Sequence, residues 1–133
     1  DGKPVANAVQ AGKRPRSSMS PTMVFDKRGL KMIVGSAGGP AIIEDVAKTI
    51  IAALDGHRDL QAAMDLPNIG NRNTGVTEIE AGPSAAALKQ ALEARGHHVV
   101  VSPHPSGIAG IEVAPRGLEG AADSRRDGAG RGD

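Results

Sequence analysis

The chain has 133 residues, a formal net charge of +1, no cysteine and a single aromatic residue, Phe25. A charge this close to zero argues against a nucleic-acid partner, the lack of cysteine excludes disulfides and thiolate chemistry, and no apolar run reaches the roughly 18 residues of a membrane span. Since buried aromatic side chains normally contribute about 150–250 Å² each, the length fits one domain, residues 1–133, that is either a small alanine-rich α/β protein or is stabilised by a partner chain.

The first predicted elements are an extended lead-in and a β-hairpin. Residues 1–21 are polar with little periodicity and form the lead-in. Thr22–Asp26 and Leu30–Val34 alternate as strands, and the turn between them ends at Gly29, which is free to adopt a positive φ. A tight loop follows over Gly35–Gly39.

Two helices are predicted next. Pro40 stands where a helix can begin, because its missing N–H is harmless in the first turn. Apolar residues then recur at helical spacing up to Leu54, and Gly56 ends this helix. The predicted apolar face comprises Ile43, Ala47, Ile50 and Leu54, with Ile42 and Val46 beside it. A second, shorter helix covers Leu60–Asp65 and is stopped by Pro67.

The rest of the chain is predicted as two strand regions around a third helix. Gly75–Glu80 alternates as a strand, Pro83–Arg95 is helical, and His97–Ser102 and Gly107–Ala114 are further strands. Residues 118–133 form a C-terminal strand or tail rich in Gly and Arg. The order β-β-α-α-β-α-β-β places strands in adjacent pairs, which favours an α+β layered sheet over a doubly wound one.

The glycine loop has the arrangement of an anion site. A strand, a glycine-rich loop and a helix bring free backbone N–H groups and the positive end of the helix dipole together. The spacing Gly35-x-x-Gly38-Gly39 matches neither a P-loop nor a dinucleotide fingerprint. Phosphate, carboxylate or a tetrahedral oxyanion would fit, and a tight strand-to-helix crossover without a ligand is the alternative.

Three serines stand just before the hairpin, at Ser17, Ser18 and Ser20. A two-stranded hairpin brings its ends together, so the first two hydroxyls should converge with the amides of Gly38 and Gly39. Such donors could hold a carboxylate at one end of a substrate and an oxyanion at the other. Taken alone, the serines also fit a solvated turn.

These two motifs, "KRPRSSMSPT" and "GSAGG", resemble the small subunit of γ-glutamyltranspeptidases. The similarity extends through "IIEDVAKTIIAALDG", "DLQAAMDLPNI" and "EIEAGPSAAALKQALEARGHHV" to "GLEGAADSRRDGAG". The resemblance implies the N-terminal-nucleophile hydrolase fold, a four-layer αββα sandwich that a large and a small subunit of one cleaved precursor build together.

The resemblance also implies roles for the two motifs. Ser17 and Ser18 would bind the α-carboxylate of a γ-glutamyl group, and Gly38 and Gly39 would supply the oxyanion hole. The reaction would pass this group from glutathione or a similar amide to the enzyme, and then to water or to an acceptor amino acid or peptide, without a cofactor. The family is commonly periplasmic, secreted or surface-bound. This loop has Ala37 where the family often has proline, which would make the loop less rigid.

The nucleophile of the family does not appear in this chain. In the family it is a threonine that opens the small subunit and is activated by its own α-amino group. This sequence opens with Asp1, and its threonines are all internal: Thr22, Thr49, Thr74 and Thr77. We therefore expect the C-terminal part of a small subunit, inactive alone and dependent on the large subunit and the upstream part of the small subunit.

Two other functions remain open. One is an acylase of the cephalosporin type, with the same fold, that cleaves a glutaryl amide. The other is a non-catalytic binding or scaffold fragment. Binding of glutamate in preference to glutarate would favour the γ-glutamyl enzyme. Equal binding of both would favour the acylase, and binding of neither would favour the scaffold.

The remaining polar and sulfur-containing side chains are assigned no chemistry. His97 and His98 would point to opposite faces of a strand, and His57 and His104 stand alone, so no metal site is predicted. Met19 and Met23 are expected to fill the core. A solvated tail or an intersubunit salt-bridge set is expected from Asp123, Arg125, Arg126 and Asp127.

Overall fold

The computed structural model describes residue 2 and residues 5–131; Asp1, to which the missing-nucleophile prediction is attached, lies outside the described residues. Within them the chain forms three helices and seven strands. The helices are α1 (Ile42–Leu54), α2 (Leu60–Asp65) and α3 (Ala85–Glu93), and a 3₁₀ turn over Gly39–Ala41 precedes α1. The strands are β1 (Thr22–Asp26), β2 (Gly29–Gly35), β3 (Ile69–Gly70), β4 (Thr77–Glu80), β5 (Val99–Ser102), β6 (Ala109–Ala114) and β7 (Gly117–Ala122).

The larger sheet is antiparallel and has the strand order β1-β2-β6-β7. One face carries α1 and α2, and the main core lies between them. Its buried members are Met32, Val34, Ile42, Val46, Leu60, Met64, Ile108 and Ala121. Helices and sheet therefore form two packed layers, and the predicted α+β class is confirmed.

The orientation of α1 differs from the predicted one. Ile50 and Leu54 pack against the core as predicted. Ile42 and Val46 are buried, however, whereas Ile43 is 56% exposed. The buried side of the helix also includes Asp45 and Thr49. Both sets of apolar residues recur at helical spacing, so periodicity alone could not decide which would face the sheet.

The smaller sheet has the order β3-β4-β5. β4 and β5 are parallel and α3 connects them, as the crossover of a parallel pair requires, while β3 is antiparallel to β4. Ile79, Ala85 and Val99 form its small core. The predicted strand over His97–Ser102 begins only at Val99, so His97 and His98 precede the strand.

Two of the observed strands were not clearly predicted: β3 was missed, and β7 lies in a segment that was predicted only as a strand or tail. β3 has only two residues, which is too short for an alternating pattern. β7 pairs along its whole length with β6 and buries Ala121, although "GLEGAA" has none of the β-branched residues typical of strands. Residues 123–131 contain no strand or helix.

The face of the larger sheet that points away from the helices is apolar and exposed. Met23, Ile33 and Ile111 are opposite one another across β1, β2 and β6. Met23 is 63% exposed, Met19 is 77% exposed and Leu118 is 72% exposed, so the prediction that Met19 and Met23 fill the core is wrong. None of the helices in the described ranges is long and apolar enough to cross a membrane.

Candidate functional site

The serine motif is held in place by hydrogen bonds on both sides. Before it, the Arg16 amide donates to Asn7 Oδ1 at 2.6 Å and Asn7 Nδ2 donates back to the Arg16 carbonyl at 2.9 Å. Within it, the Met19 amide donates to Ser17 Oγ at 3.2 Å. After it, Ser20 Oγ donates to the Ser18 carbonyl at 3.1 Å. The lead-in has no regular secondary structure here, but its backbone is fixed around the two serines.

The serine motif and the glycine loop are in direct contact. Ser18 Oγ donates to the Gly39 carbonyl oxygen at 2.6 Å. The pair Thr22↔Val34 closes the end of the hairpin at which both segments emerge. The Gly39 carbonyl also accepts the Ile42 N–H that begins α1. The contact thus links the lead-in to the start of α1, as the geometry of a hairpin predicts.

Gly38 and Gly39 are needed for different reasons. Gly39 has φ +61, a conformation that glycine adopts without steric cost. Gly38 is extended, with φ 169, but a β-carbon there would lie 3.2 Å from Asp45 Oδ2. Within the described part of the chain, neither amide N–H donates to a protein acceptor.

A cavity of about 690 Å³ opens beside this contact. One wall contains Ser17, Ser18 and Gly39, and the other contains Glu44 and the segment 71–73. Gly38 does not line it and instead lies behind Gly39, against Asp45. Arg16 brings positive charge to the cavity and Glu44 brings negative charge, which suits a ligand that carries both an ammonium and a carboxylate. Arg72 also lines the cavity, but its guanidinium is paired with Glu78 at 3.0 Å.

A buried polar pair supports the loop from behind. Asp45, in the first turn of α1, is 1% exposed. Its Oδ2 accepts a hydrogen bond from Ser36 Oγ at 3.2 Å, and its Oδ1 lies 3.1 Å from His104 Nε2. Burial raises the pKa of Asp45, and the nearby His104 and Ser36 partly offset this. His104 is therefore not an isolated histidine, and no sequence signal connects it to a residue 59 positions away.

The C-terminal charged residues are also structured, which corrects the prediction of a solvated tail or an intersubunit set. Arg125 donates to both carboxylate oxygens of Glu80 and to Asp123 Oδ1 at 3.0 Å. It also donates to the carbonyls of Met64 and Leu66 at 3.2 and 3.0 Å. The hydrogen bonds that Arg125 donates to Glu80 raise the pKa of the guanidinium. This residue therefore ties the chain after β7 to β4 and to the end of α2.

Asp123 is buried beside this arginine, with 1% exposure. Burial alone would raise its pKa, but hydrogen bonds from Ser106 Oγ, Arg125 and the Ile108 amide outweigh burial and lower the pKa to about 2. In contrast, Asp127 is exposed, and Arg126 donates to the Ser106 carbonyl at 2.8 Å. Three or more His, Asp or Glu residues do not gather into a metal-binding group anywhere in the described ranges.

Comparison with known proteins identifies relatives over almost the whole chain. The family model "Gamma-glutamyltranspeptidase" matches residues 2–132. A glutathione hydrolase proenzyme of Bacillus subtilis (strain 168) is 35% identical over 127 residues, which are 93% of this chain and 22% of the relative. An acylase ACY 1 proenzyme of Pseudomonas sp. (strain SE83) is 37% identical over 126 residues, which are 92% of this chain and 22% of the relative. The chain thus spans about one fifth of these curated relatives.

Solved structures give the same assignment. A γ-glutamyltranspeptidase mutant of Helicobacter pylori superimposes with a TM-score of 0.79 and 30% identity, over 93% of this chain and 69% of that one. The γ-glutamyltranspeptidase of Pseudomonas nitroreducens complexed with L-DON superimposes with a TM-score of 0.82 and 26% identity, over 96% and 68%. The fold is that of the N-terminal-nucleophile hydrolases, of whose four layers the described residues show two packed ones. This chain belongs to the γ-glutamyltranspeptidase family.

Proposed function

We propose that this chain forms the substrate-binding part of an enzyme that transfers or hydrolyses γ-glutamyl groups. The substrates are glutathione and other γ-glutamyl amides, and the acceptors are water, amino acids or peptides. The observation that carries the proposal is the contact of the Ser18 hydroxyl with Gly39 at the edge of the cavity. Family membership supports it, since glutathione hydrolase proenzymes are among the relatives.

The hydroxyls of Ser17 and Ser18 hold the α-carboxylate of the substrate. Ser18 already donates a hydrogen bond of 2.6 Å and would turn its hydroxyl from the Gly39 carbonyl to the carboxylate. Hydrogen bonds to a charged group are worth about 1.5–3 kcal/mol, more than the neutral bond they replace. Arg16 lines the same wall and adds positive charge.

The amides of Gly38 and Gly39 stabilise the oxyanion that forms when the γ-carbonyl is attacked. Gly38 caps the 3₁₀ turn that leads into α1 and Gly39 is the first residue of that turn, where backbone N–H groups have no intrahelical acceptor. Removing one such donor from an oxyanion hole typically costs about 10²–10³ in rate. These amides therefore act on the transition state, whereas the serines act on the bound substrate.

The nucleophile comes from outside this chain. A threonine nucleophile of this type is activated by its own α-amino group, which an internal threonine lacks. Thr49 is buried and donates to the Asp45 carbonyl, and Thr77 is buried beside His97. Thr22 lies within β1, and Thr74 is exposed in a loop. The chain alone is therefore inactive in this proposal.

The proposed partners are the large subunit of the same precursor and the upstream part of the small subunit. The curated relatives are proenzymes, and this chain spans about one fifth of their length. The exposed apolar face of the larger sheet, with Met23, Ile111 and Leu118, supports a partner layer. By family resemblance, the assembled protein is periplasmic or secreted.

A glutaryl acylase of the cephalosporin type is the second candidate. It is favoured by one specific observation, the 37% identity to an acylase ACY 1 proenzyme over 92% of this chain. A glutaryl group has the γ-carbonyl and a carboxylate but no α-amino group. The two activities therefore differ in whether the site requires the α-ammonium group of the substrate. Glu44 is the acidic side chain on this cavity that could bind such a group.

The experiment uses the full-length precursor after maturation, with γ-glutamyl-p-nitroanilide and glutaryl-p-nitroanilide as substrates. Turnover of the γ-glutamyl anilide alone supports the proposal, equal turnover of both supports the acylase, and turnover of neither contradicts both. Calorimetric titration with glutamate and with glutarate then separates a binding fragment from an inert scaffold. The isolated chain serves as the control, and its turnover would contradict the missing nucleophile.

A further inference from the structure

Asp45 and His104 form a buried pair of titratable side chains directly behind the glycine loop. Asp45 is 1% exposed and His104 is 7% exposed. They come from the first turn of α1 and from the segment between β5 and β6. Neither lines the cavity, so neither contacts a ligand there. Burying two such groups is costly unless they are well paired, and the 3.1 Å contact between them meets that condition.

The carboxylate of Asp45 joins this pair to the loop. The Ser36 hydroxyl donates to its second oxygen at 3.2 Å. The next residue, Ala37, donates its amide to the Gly107 carbonyl at 3.1 Å, three residues after His104. Gly38 packs so closely on Asp45 that a β-carbon would lie 3.2 Å from Oδ2. The loop is thus held at three successive residues, and Asp45 touches two of them.

The charges around the pair come from three elements. Lys48, one turn along α1, interacts electrostatically with Asp45, and Glu80 on β4 interacts electrostatically with His104. Glu44, also on α1, and the His104 imidazole both approach Gly70, where a β-carbon would lie 3.5 Å from Glu44 Oε1 and 3.6 Å from His104 Cε1. Arg125, after β7, is bound to Glu80. A negative Asp45 without its partners would oppose an oxyanion in front of Gly38, so the hydrogen bonds from Ser36 and His104 also limit this unfavourable field.

We propose that Asp45 is a positioning residue for the acyl-transfer reaction. Held in place by His104, it fixes residues 36–39 so that the Gly38 and Gly39 amides point at the reacting carbonyl oxygen. Asp45 acts only through the loop and touches neither the substrate nor the reacting atoms. The inference rests on the proposed function and assigns a role to a buried group outside the cavity.

The test compares Asp45→Ala and Asp45→Asn in the matured full-length protein. Asparagine can still accept from Ser36 through its oxygen and donate to the imidazole through its nitrogen, whereas alanine can do neither. For Asp45→Ala we expect kcat to fall by about tenfold or more, because small displacements of catalytic groups are costly, with KM within about twofold. Asp45→Asn should keep both constants within about threefold of the unmodified protein.

Val46→Ala is the matched control. Val46 is the next residue of α1 and faces the hydrophobic core, so its truncation destabilises the same helix without touching the loop. We expect a lower melting temperature and an unchanged kcat. Equal losses of kcat in Asp45→Ala and Val46→Ala would overturn the proposal, as would a loss that appears only in KM.

Hydrogen exchange provides a readout that does not depend on activity. The Ala37 amide should exchange about tenfold faster in Asp45→Ala than in the unmodified protein, but not in Asp45→Asn. Unchanged exchange overturns the role of Asp45 even if the enzyme is active. If the unmodified protein shows no γ-glutamyl turnover, the proposed function is contradicted. Faster exchange of the Ala37 amide in its Asp45→Ala variant would still show that Asp45 fixes the loop.

Discussion

The hydroxyl of Ser18 donates to the carbonyl oxygen of Gly39 at 2.6 Å, across 21 residues of sequence. This single bond joins the lead-in to the turn that begins α1. It places a side-chain donor on the same cavity wall as the glycine loop. A substrate held by the hydroxyl would therefore have its acyl carbon close to backbone donors, which is the arrangement that acyl transfer needs.

Ser18→Ala is expected to raise KM for a γ-glutamyl anilide by about tenfold and to change kcat less. The variant loses a hydrogen bond to the substrate carboxylate, worth about 1.5–3 kcal/mol for a charged acceptor. Ser20→Ala is the control, because Ser20 donates to the Ser18 carbonyl and does not line the cavity. Steady-state kinetics of both variants provide the measurement. Identical KM values for the two variants would contradict the proposal that Ser18 binds the substrate carboxylate.

Replacing either Gly38 or Gly39 by alanine should destabilise the fold, but for a different reason at each position. Gly39→Ala places a β-carbon in open space but at φ +61, which costs roughly 1–2 kcal/mol in backbone conformation. Gly38→Ala is conformationally permitted but presses on the Asp45 carboxylate at 3.2 Å. The free energies of unfolding of single and double variants with Asp45→Ala distinguish these cases.

For Gly38→Ala, the effects with Asp45→Ala should be non-additive by at least about 0.5 kcal/mol, because truncating the aspartate removes the clash. For Gly39→Ala, the two effects should add. Additivity at both positions would show that Gly38 does not depend on the space that Asp45 occupies.

The contact between Ser18 and the glycine loop could be predicted because it depends on local geometry, whereas the Ser17 hydroxyl accepts from the Met19 amide. A hairpin of two short strands leaves its two flanking segments side by side, whatever the rest of the fold does. The course of α1 could be predicted for a similar reason, since helical periodicity is read within one segment. Its buried side could not, because the core accepts Asp45 and Thr49 next to Val46.

The buried polar pairs could not be predicted because their partners are far apart in sequence. Asp45 is an acidic residue in a first helical turn, where a solvated carboxylate that complements the helix dipole is the ordinary expectation. Only the packing of the segment before β6 against α1 shows that it is paired with His104. Arg125 likewise looks like a residue of a charged tail until β4 brings Glu80 beside it.

Arg125→Met should lower the free energy of unfolding by about 3 kcal/mol, because removing one member of a largely buried ion pair leaves carboxylates without their counter-charge. Its side chain is 17% exposed and bridges two acids and two carbonyls. Arg28→Ala is the matched control: that arginine is 86% exposed in its pair with Asp26 and should cost less than about 1 kcal/mol. Urea denaturation measures both. Equal losses would mean that the Arg125 cluster is not needed for stability.

Asp123 should make the fold sensitive to acid in a defined range. Its pKa of about 2 in the folded chain lies below the ordinary value of 3.8, since hydrogen bonds from Ser106, Arg125 and the Ile108 amide favour the ionised form over the opposing effect of burial. A lowered folded-state pKa stabilises the protein above pH 3.8, and this contribution, about 2 kcal/mol, is lost as the pH falls from about 3.8 towards 2.

Asp123→Asn should therefore be less stable at neutral pH and should lose less stability on acidification over this range. The exposed Glu119 on β7 provides the control, as Glu119→Gln should follow the unmodified protein. Thermal denaturation between pH 2 and 5 is the measurement. If Asp123→Asn and the unmodified protein showed the same dependence on pH, the Asp123 carboxylate would not be ionised and hydrogen-bonded in the way the contacts with Ser106 and Ile108 indicate.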